Sequence, residues 1–278
     1  MAGELDSPYP ATSGWPDGPG RLLGGEPDDP ERDDLGLTVA VPTRVGRVVS
    51  LVPSLTESVA VSAPGLLVGA TDWCSHPPGL HVTRVRGTKN PDVAAVVELA
   101  PDVVLANAEE NRAPDLDALR AAGLAVWVTA PTTVDAALGS LDRMLRLACR
   151  LPRPGWLDEA RAAWSQPAPA GPRRRALIPI WRRPWMAVGR DTFAGDVLRR
   201  LGVDNVLADS PQRYPRFDPA TVAPHDLVVL PDEPYAFSPA DGPESFTAPA
   251  VCVSGRLLTW YGPSLVAARS ELAVALAR

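Results

Sequence analysis

The sequence predicts an α/β protein built from two related lobes with a helix between them. Three observations carry that expectation. Short apolar, β-branched runs alternate with helical segments, the pattern of parallel βαβ units. The pattern occurs twice: Asn90-Pro91-Asp92 followed by Pro101-Asp102-Val103-Val104-Leu105 is echoed by Asp218-Pro219 followed by Pro224-His225-Asp226-Leu227-Val228-Val229-Leu230. Between the two series, Val134, Leu138, Leu141, Leu145 and Ala148 recur at spacings of four and three, one apolar face of a long helix. The expected architecture is two Rossmann-like α/β lobes, 45–132 and 173–278, joined by a linking helix over 133–166. A ligand cleft is expected between the lobes, outside the carboxyl ends of the strands.

Residues 1–44 are rich in Pro, Gly, Asp and Glu and offer little to bury, so they read as a disordered acidic tail. Val48 to Val52 is a buried-strand run ending at Pro53. Ser54-Leu55-Thr56-Glu57 has the form of a capping box, Ser54 as the cap and Glu57 reaching back. Leu67 to Thr71 is a second strand. Asn90 caps a helix with Pro91 in its first turn, and that helix stops at Pro101. Asp102 to Ala106 is a strand, Asp115 to Ala122 a helix ended by Gly123, and Ala125 to Thr129 a strand. Thr132-Thr133-Val134-Asp135 again has capping-box form and opens the linking helix, which breaks around Pro152-Arg153-Pro154 and resumes through Trp164. In the second lobe Ala176 to Ile180, Met186 to Val188, Leu227 to Leu230 and Ala250 to Val253 are strands. Phe193 to Leu201 is a helix ended by Gly202, and Ser264 to Leu276 a terminal amphipathic helix.

With 278 residues, 45% of them apolar, the chain can bury a sizeable core. A net charge of −6 leaves no basic surplus for nucleic acid or an anionic membrane surface. Lys89 is the sole lysine in a chain otherwise biased to Arg, Ala, Gly and Pro, either an accident of coding bias or a retained contact. Cys74, Cys149 and Cys252 form no CxxC pair and no disulfide framework, which fits a reducing compartment. No export signal, lipid-anchor cysteine or membrane-length apolar run stands out, so a cytoplasmic location is expected, or an extracytoplasmic one if the start codon is misassigned. A monomer without an intrinsic cofactor is expected. The sequence has no G-x-S-x-G elbow, phosphate loop, G-x-G-x-x-G after a strand, or H-E-x-x-H.

Segments that follow the strands hold the chemistry-bearing residues. Trp73, Cys74 and His76 follow one strand, and Glu109, Glu110, Asn111 and Arg112 another. Trp181, Arg182 and Trp185 follow the first strand of the second lobe, Tyr235 and Phe237 a later one, and Trp260 and Tyr261 precede the last helix. Loops ordinarily favour polar side chains, so this aromatic set reads either as the wall of a broad, partly apolar ligand or as a satellite core against neighbouring helices. Asn111 and Arg112 read evenly as donors to ligand amides or carboxylates and as helix caps with surface ion pairs. Cys74 or His76 is a candidate axial ligand of a chelated metal, whereas a nucleophilic role lacks a recognisable base and orienting group. His81 and His225 read as ordinary loop residues.

The runs RVVSLVPSLTE, TDWCSHP, GTKNPD and PDVVLANAEENR, with IPIWRRPWMAVGRDTFAGDVLRRLG, LPDEPYAFS and LTWYG, resemble class III substrate-binding proteins from about Arg47 onward. These are the helical-backbone metal receptors that include cobalamin- and ferric-siderophore-binding proteins, and the second half is similar to a cobalamin-binding-like subgroup. The resemblance implies two α/β lobes bridged by a rigid helix and a non-catalytic site for a metal chelate: a corrinoid first, haem or a ferric siderophore as alternatives. Trp73, Cys74, Lys89, Asn90, Asn111, Arg112, Trp181, Arg182, Trp185, Tyr235, Phe237, Trp260 and Tyr261 are then the expected ligand contacts. It implies an ABC-transporter permease as partner, with Glu57 in PSLTE docking to permease arginines, or else a cytoplasmic binder that stores or hands over the chelate. The competing expectation is an enzyme acting on a corrinoid through Cys74 or His76.

Overall fold

The computed structural model describes residues 31–277. They divide into two compact units, one running to Ala130 and taking in Gly139–Pro154, the other formed by Pro131–Leu138 and the chain from Gly155.

Unit one contains β1 (Val48–Ser50), β2 (Leu67–Ala70), β3 (Thr83–Arg84), β4 (Arg86–Gly87), β5 (Asn90–Pro91), β6 (Val103–Asn107) and β7 (Val126–Thr129). Five of these strands form a parallel sheet in the order β3-β2-β1-β6-β7, and β4 pairs with β5 as a small antiparallel hairpin. Every residue of β6 and β7 is buried, as expected of apolar strands covered on both faces. Helix α1 (Pro53–Ser62) follows β1, and Val49, Leu51, Val104, Ala106, Val126 and Val128 pack with Val96 of α2 (Val93–Glu98) and with Leu116 and Leu119 of α3 (Ala113–Ala121).

Local chemistry differs from the sequence reading at three helix starts. Pro53 opens α1 two residues early, with Val52 at the cap position, so Ser54 lies inside the helix and no side-chain capping box forms. Asn90 and Pro91 are strand residues, and Asp92 is the cap of α2, accepting from Ala95 N–H at 3.1 Å. The Asp218-Pro219 echo yields only a turn, with Val222 N–H bonded to the Asp218 carbonyl at 3.0 Å.

Between Val134 and Trp164 the chain forms α4 (Val134–Arg143), a π-helical turn (Met144–Ala148), a non-helical stretch to Pro154, and α5 (Gly155–Trp164). Pro152 and Pro154 lack the N–H groups that would continue the ladder. Thr133 caps α4 through Ala136 N–H at 3.1 Å, and the Asp196 carboxylate takes Val134 N–H at 2.9 Å.

Unit two holds β8 (Arg174–Leu177), β9 (Pro179–Trp181), β10 (Met186–Ala187), β11 (Val203–Asn205), β12 (Leu227–Pro231) and β13 (Ala250–Val253). Its main sheet is parallel in the order β11-β8-β12-β13, with β9 and β10 as an antiparallel pair. Helices α6 (Phe193–Arg200), α7 (Gly255–Thr259) and α8 (Leu265–Leu276) complete it. Among the described residues no helix is long and apolar enough to cross a membrane.

The expected disordered tail is corrected over 31–44, while 1–30 lies outside the described residues. Asp33 is 4% exposed and accepts N–H bonds from Leu35, Leu37 and Val128. Asp34 accepts from Ala130 N–H at 2.8 Å and Ser140 Oγ at 2.6 Å, and pairs with Arg143. Arg150 pairs with Glu31 and donates to the carbonyls of Val41 and Pro42. Composition alone cannot distinguish this strap from a solvated acidic run, because its carboxylates are satisfied by groups about a hundred residues away.

Candidate functional site

In unit one the connection from β1 leads to its neighbour β2 on one side, while β6 leads to β7 on the other. The sheet thus has a topological switch point between β1 and β6, where open α/β sheets bind ligands. Asn111 lies there with 2% exposure. Its amide nitrogen donates to the carbonyls of Leu51, after β1, and Thr88, in the β4–β5 hairpin, at 3.3 and 2.9 Å, and its oxygen accepts from Asn107 N–H at 2.9 Å. Both of its N–H donors are directed at protein carbonyls, so Asn111 ties these loops together. Lys89 reinforces the same arrangement by donating to the Glu109 carbonyl.

The loop after β2 rests on the hairpin through the Asp72 N–H to Arg86 carbonyl bond of 2.8 Å. Trp73 stands on that loop with 68% of its surface exposed. A Cβ at Gly87 would lie 3.3 Å from the indole nitrogen and 2.5 Å from Asn90 Oδ1, so this close approach needs glycine. Trp73, Lys89 and Asn90 are therefore gathered by the hairpin at one sheet edge. Burial pushes the Lys89 ammonium below its ordinary value, against the raising influence of Glu110 and Glu109. Burial likewise pushes the Glu110 carboxyl up.

Other unit-one candidates are placed elsewhere. Cys74 has no exposed surface, and its sulfur bonds with the hydroxyls of Thr56 and Thr71 at 3.0 and 3.1 Å. Burial pushes its thiol up, so neither axial ligation nor nucleophilic attack suits it. His76 is half-buried beside Ser75, with Oγ 3.1 Å from Nδ1. Among the described residues no group of three or more His, Cys, Asp and Glu is placed to hold a metal ion. Arg112 precedes α3 on the surface and grips Asp115 with two bonds of 2.9 and 3.0 Å, the ion-pair reading of this residue. Glu57, the expected docking carboxylate, is 4% exposed within α1.

Unit two has its switch point between β8 and β12. Trp181, just beyond β8, meets Tyr235, just beyond β12, edge to face with centroids 5.8 Å apart. Trp185 stacks on Phe237 at 5.9 Å and meets Phe246 at 5.2 Å, and Tyr235 lies 4.6 Å from Phe237. Phe237 is 3% exposed and packs with Val228 and Leu230, so it belongs to the core and not to a ligand wall. The Arg182 guanidinium sits 5.3 Å over Trp185 and pairs with Asp241 and with Glu244, while Tyr235 Oη donates to Asp241 at 2.7 Å. Arg182 thereby fastens loop 232–246 to loop 182–185 instead of offering a free cation. Trp260 and Tyr261 are 9% and 7% exposed, with Tyr261 edge-on to Phe193 at 5.7 Å. Phe217, Phe246, Asp241 and Glu244 were not legible as partners of this cluster, since only the folded loops bring them to Trp185 and Arg182.

Two parallel α/β units, each with a switch point in its sheet, are the architecture of the two-lobed substrate-binding proteins. No family model matches the chain. It is similar to the vitamin B12-binding protein of Yersinia pestis (strain Pestoides F), with 27% identity over 188 residues, 61% of this chain and 63% of that protein. The match thus spans less than two thirds of the relative's length. Among solved structures, the periplasmic vitamin B12-binding protein of Vibrio cholerae superposes with a TM-score of 0.65 at 18% identity, covering 85% of this chain and 98% of that one. A periplasmic haem-binding protein from Roseiflexus sp. RS-1 gives a TM-score of 0.61 at 21% identity, covering 83% and 97%. At these identities the superpositions show the fold. The chain thus shares the fold of these two-lobed binding proteins and a partial sequence similarity to one vitamin B12-binding protein. The expected cytoplasmic location is corrected by the same findings, because both of these structural neighbours are periplasmic proteins.

Proposed function

We propose that this chain is a non-catalytic binding protein for a bulky metal chelate, a corrinoid foremost, serving as the receptor of an ABC importer. The observation that carries the reading is Trp73, an indole 68% exposed at the carboxyl edge of a parallel sheet and held there by a glycine hairpin. An exposed large ring costs hydration free energy unless a partner covers it, and its flat face suits a macrocycle. Trp181 and Tyr235 frame the corresponding edge of unit two. Haem and ferric chelates are the alternative ligands, and the names of the similar proteins span vitamin B12 and haem. Burial of Cys74 weighs against an enzyme built on that thiol.

Titration of the purified chain with cyanocobalamin, followed by absorbance and tryptophan quenching, is expected to show saturable 1:1 binding. Trp73→Ala is expected to weaken it by about 1–3 kcal/mol, roughly 5- to 150-fold, with the melting temperature unchanged. Absence of saturable binding to cyanocobalamin, haemin and ferric siderophores would refute the reading.

A further inference from the structure

We propose that the strap of residues 31–42 is a guard on the β7 edge, holding the chain monomeric by occupying main-chain groups that would otherwise pair with β7 of a second copy. β7 is the outer strand of the sheet order β3-β2-β1-β6-β7. Ala125 and Thr129 give their carbonyls to the N–H groups of Val104 and Ala108. The main-chain groups of Val128, one residue before Thr129, therefore face away from β6. The strap takes both of them. Asp34 N–H donates to the Val128 carbonyl at 3.0 Å, and the Asp33 carboxylate accepts Val128 N–H at 3.3 Å. Ala130 N–H, the next outward donor, goes to the Asp34 carboxylate at 2.8 Å. The strap is itself clasped by Arg150, which pairs with Glu31 and donates to the carbonyls of Val41 and Pro42 at 3.0 and 2.9 Å. Arg150 does so from a backbone held at φ 55°, a left-handed conformation that a residue with a side chain adopts only at a cost.

What the strap covers has the character of a pairing strand. Ala125 to Thr129 contains no charge, proline or glycine, and an uncovered edge of that kind is a template for another chain. The grip on it is uneven. The bonds fall on Val128 and Ala130, while towards Val126 a groove of about 350 Å³ opens between strap residues 37–40 and the segment 123–126. Leu37 stands at its rim, 46% exposed. A competing strand therefore has a foothold at the leading end of β7 before the two aspartates let go. Two β7 edges related by a two-fold axis would satisfy each other and leave neither free, so the product is a closed dimer. The far edge of the sheet does not extend it, because β3 is only Thr83 and Arg84, both exposed.

The test is sedimentation velocity on the full chain from about 1 to 100 µM, for wild type, Asp34→Ala and Arg150→Gly, with hydrogen exchange of the β7 amides measured alongside. Glycine accepts the left-handed backbone at position 150 without strain, so Arg150→Gly removes the clasp and keeps the fold even where Asp34→Ala unfolds. Wild type is expected to stay monomeric. In each folded variant the Val128 and Ala130 amides are expected to exchange at least about tenfold faster at the lowest concentration. The average mass is expected to rise at least roughly 1.5-fold over wild type at the highest, with exchange slowing again as the dimer forms. Variants that lose amide protection yet remain monomeric throughout would overturn the proposal. So would variants that keep wild-type protection, or a wild type that dimerises to the same extent.

Discussion

Replacing Asp34 with alanine tests whether the acidic strap is part of the fold. Asp34 is a side chain of 9% exposure that receives Ala130 N–H, Ser140 Oγ–H and Arg143. Removal leaves the backbone donor after β7 and the Ser140 hydroxyl without their acceptor, at about 1–3 kcal/mol for each group that water cannot reach. Breaking a buried ion pair costs roughly 3–5 kcal/mol, but Arg143 is 42% exposed and regains water, so the ionic part is discounted. The sum expected is about 2–3 kcal/mol, less than full burial of all three partners would give. Urea unfolding is the assay, read by circular dichroism and by Trp127, which is wholly buried in β7 next to the strap. With a slope of about 2–3 kcal/mol per M, the unit-one midpoint is expected to fall by roughly 1 M. Asp117→Ala is the control: Asp117 pairs with Arg120 on α3 but is 69% exposed, and its loss is expected to cost under about 0.5 kcal/mol. A midpoint for Asp34→Ala indistinguishable from the control would show that the strap is a solvated run, as its composition suggests.

Further outcomes follow from the same contacts. Phe237→Ala, in the unit-two core at 3% exposure, is expected to lose about 3–5 kcal/mol of stability, the opposite signature to Trp73→Ala, and thermal melts of the two variants check it. Gly87→Ala is expected to disturb the hairpin, since the new methyl would lie 2.5 Å from Asn90 Oδ1, and to weaken ligand binding by about as much as Trp73→Ala. Burial raises the Asp33 carboxyl above its ordinary 3.8 despite three N–H bonds. The folded chain therefore holds that proton more tightly than the unfolded chain, and ionisation costs the folded state. Asp33→Asn is expected to gain stability relative to wild type as pH rises from below 3.8 through the folded value, and a flat difference between pH 3 and 7 would contradict this. Thiol titration at pH 8 is expected to find Cys74 and Cys149 unreactive in the native chain, Cys149 being pushed up to about 12 by burial, and Cys252, half-exposed, to react first.

The sequence determined the alternation of strand and helix, because β-branched runs such as Val103-Val104-Leu105 and Leu227-Val228-Val229-Leu230 allow little besides buried parallel strands. It also determined that aromatic residues cluster after those strands. Identity of a loop residue does not say which way it faces, and there the reading divided. Trp73 stands in solvent, whereas Phe237 and Cys74 are enclosed. Asn111 and Arg182 are polar groups whose partners, Leu51 and Thr88 for one and Asp241 and Glu244 for the other, lie roughly 20 to 60 residues away in the chain. Only chain folding decides whether such a group bonds to protein or remains for a ligand. The same holds for Asp33 and Asp34: an acidic run is disordered where water is its only partner, and structural where distant N–H groups need an acceptor.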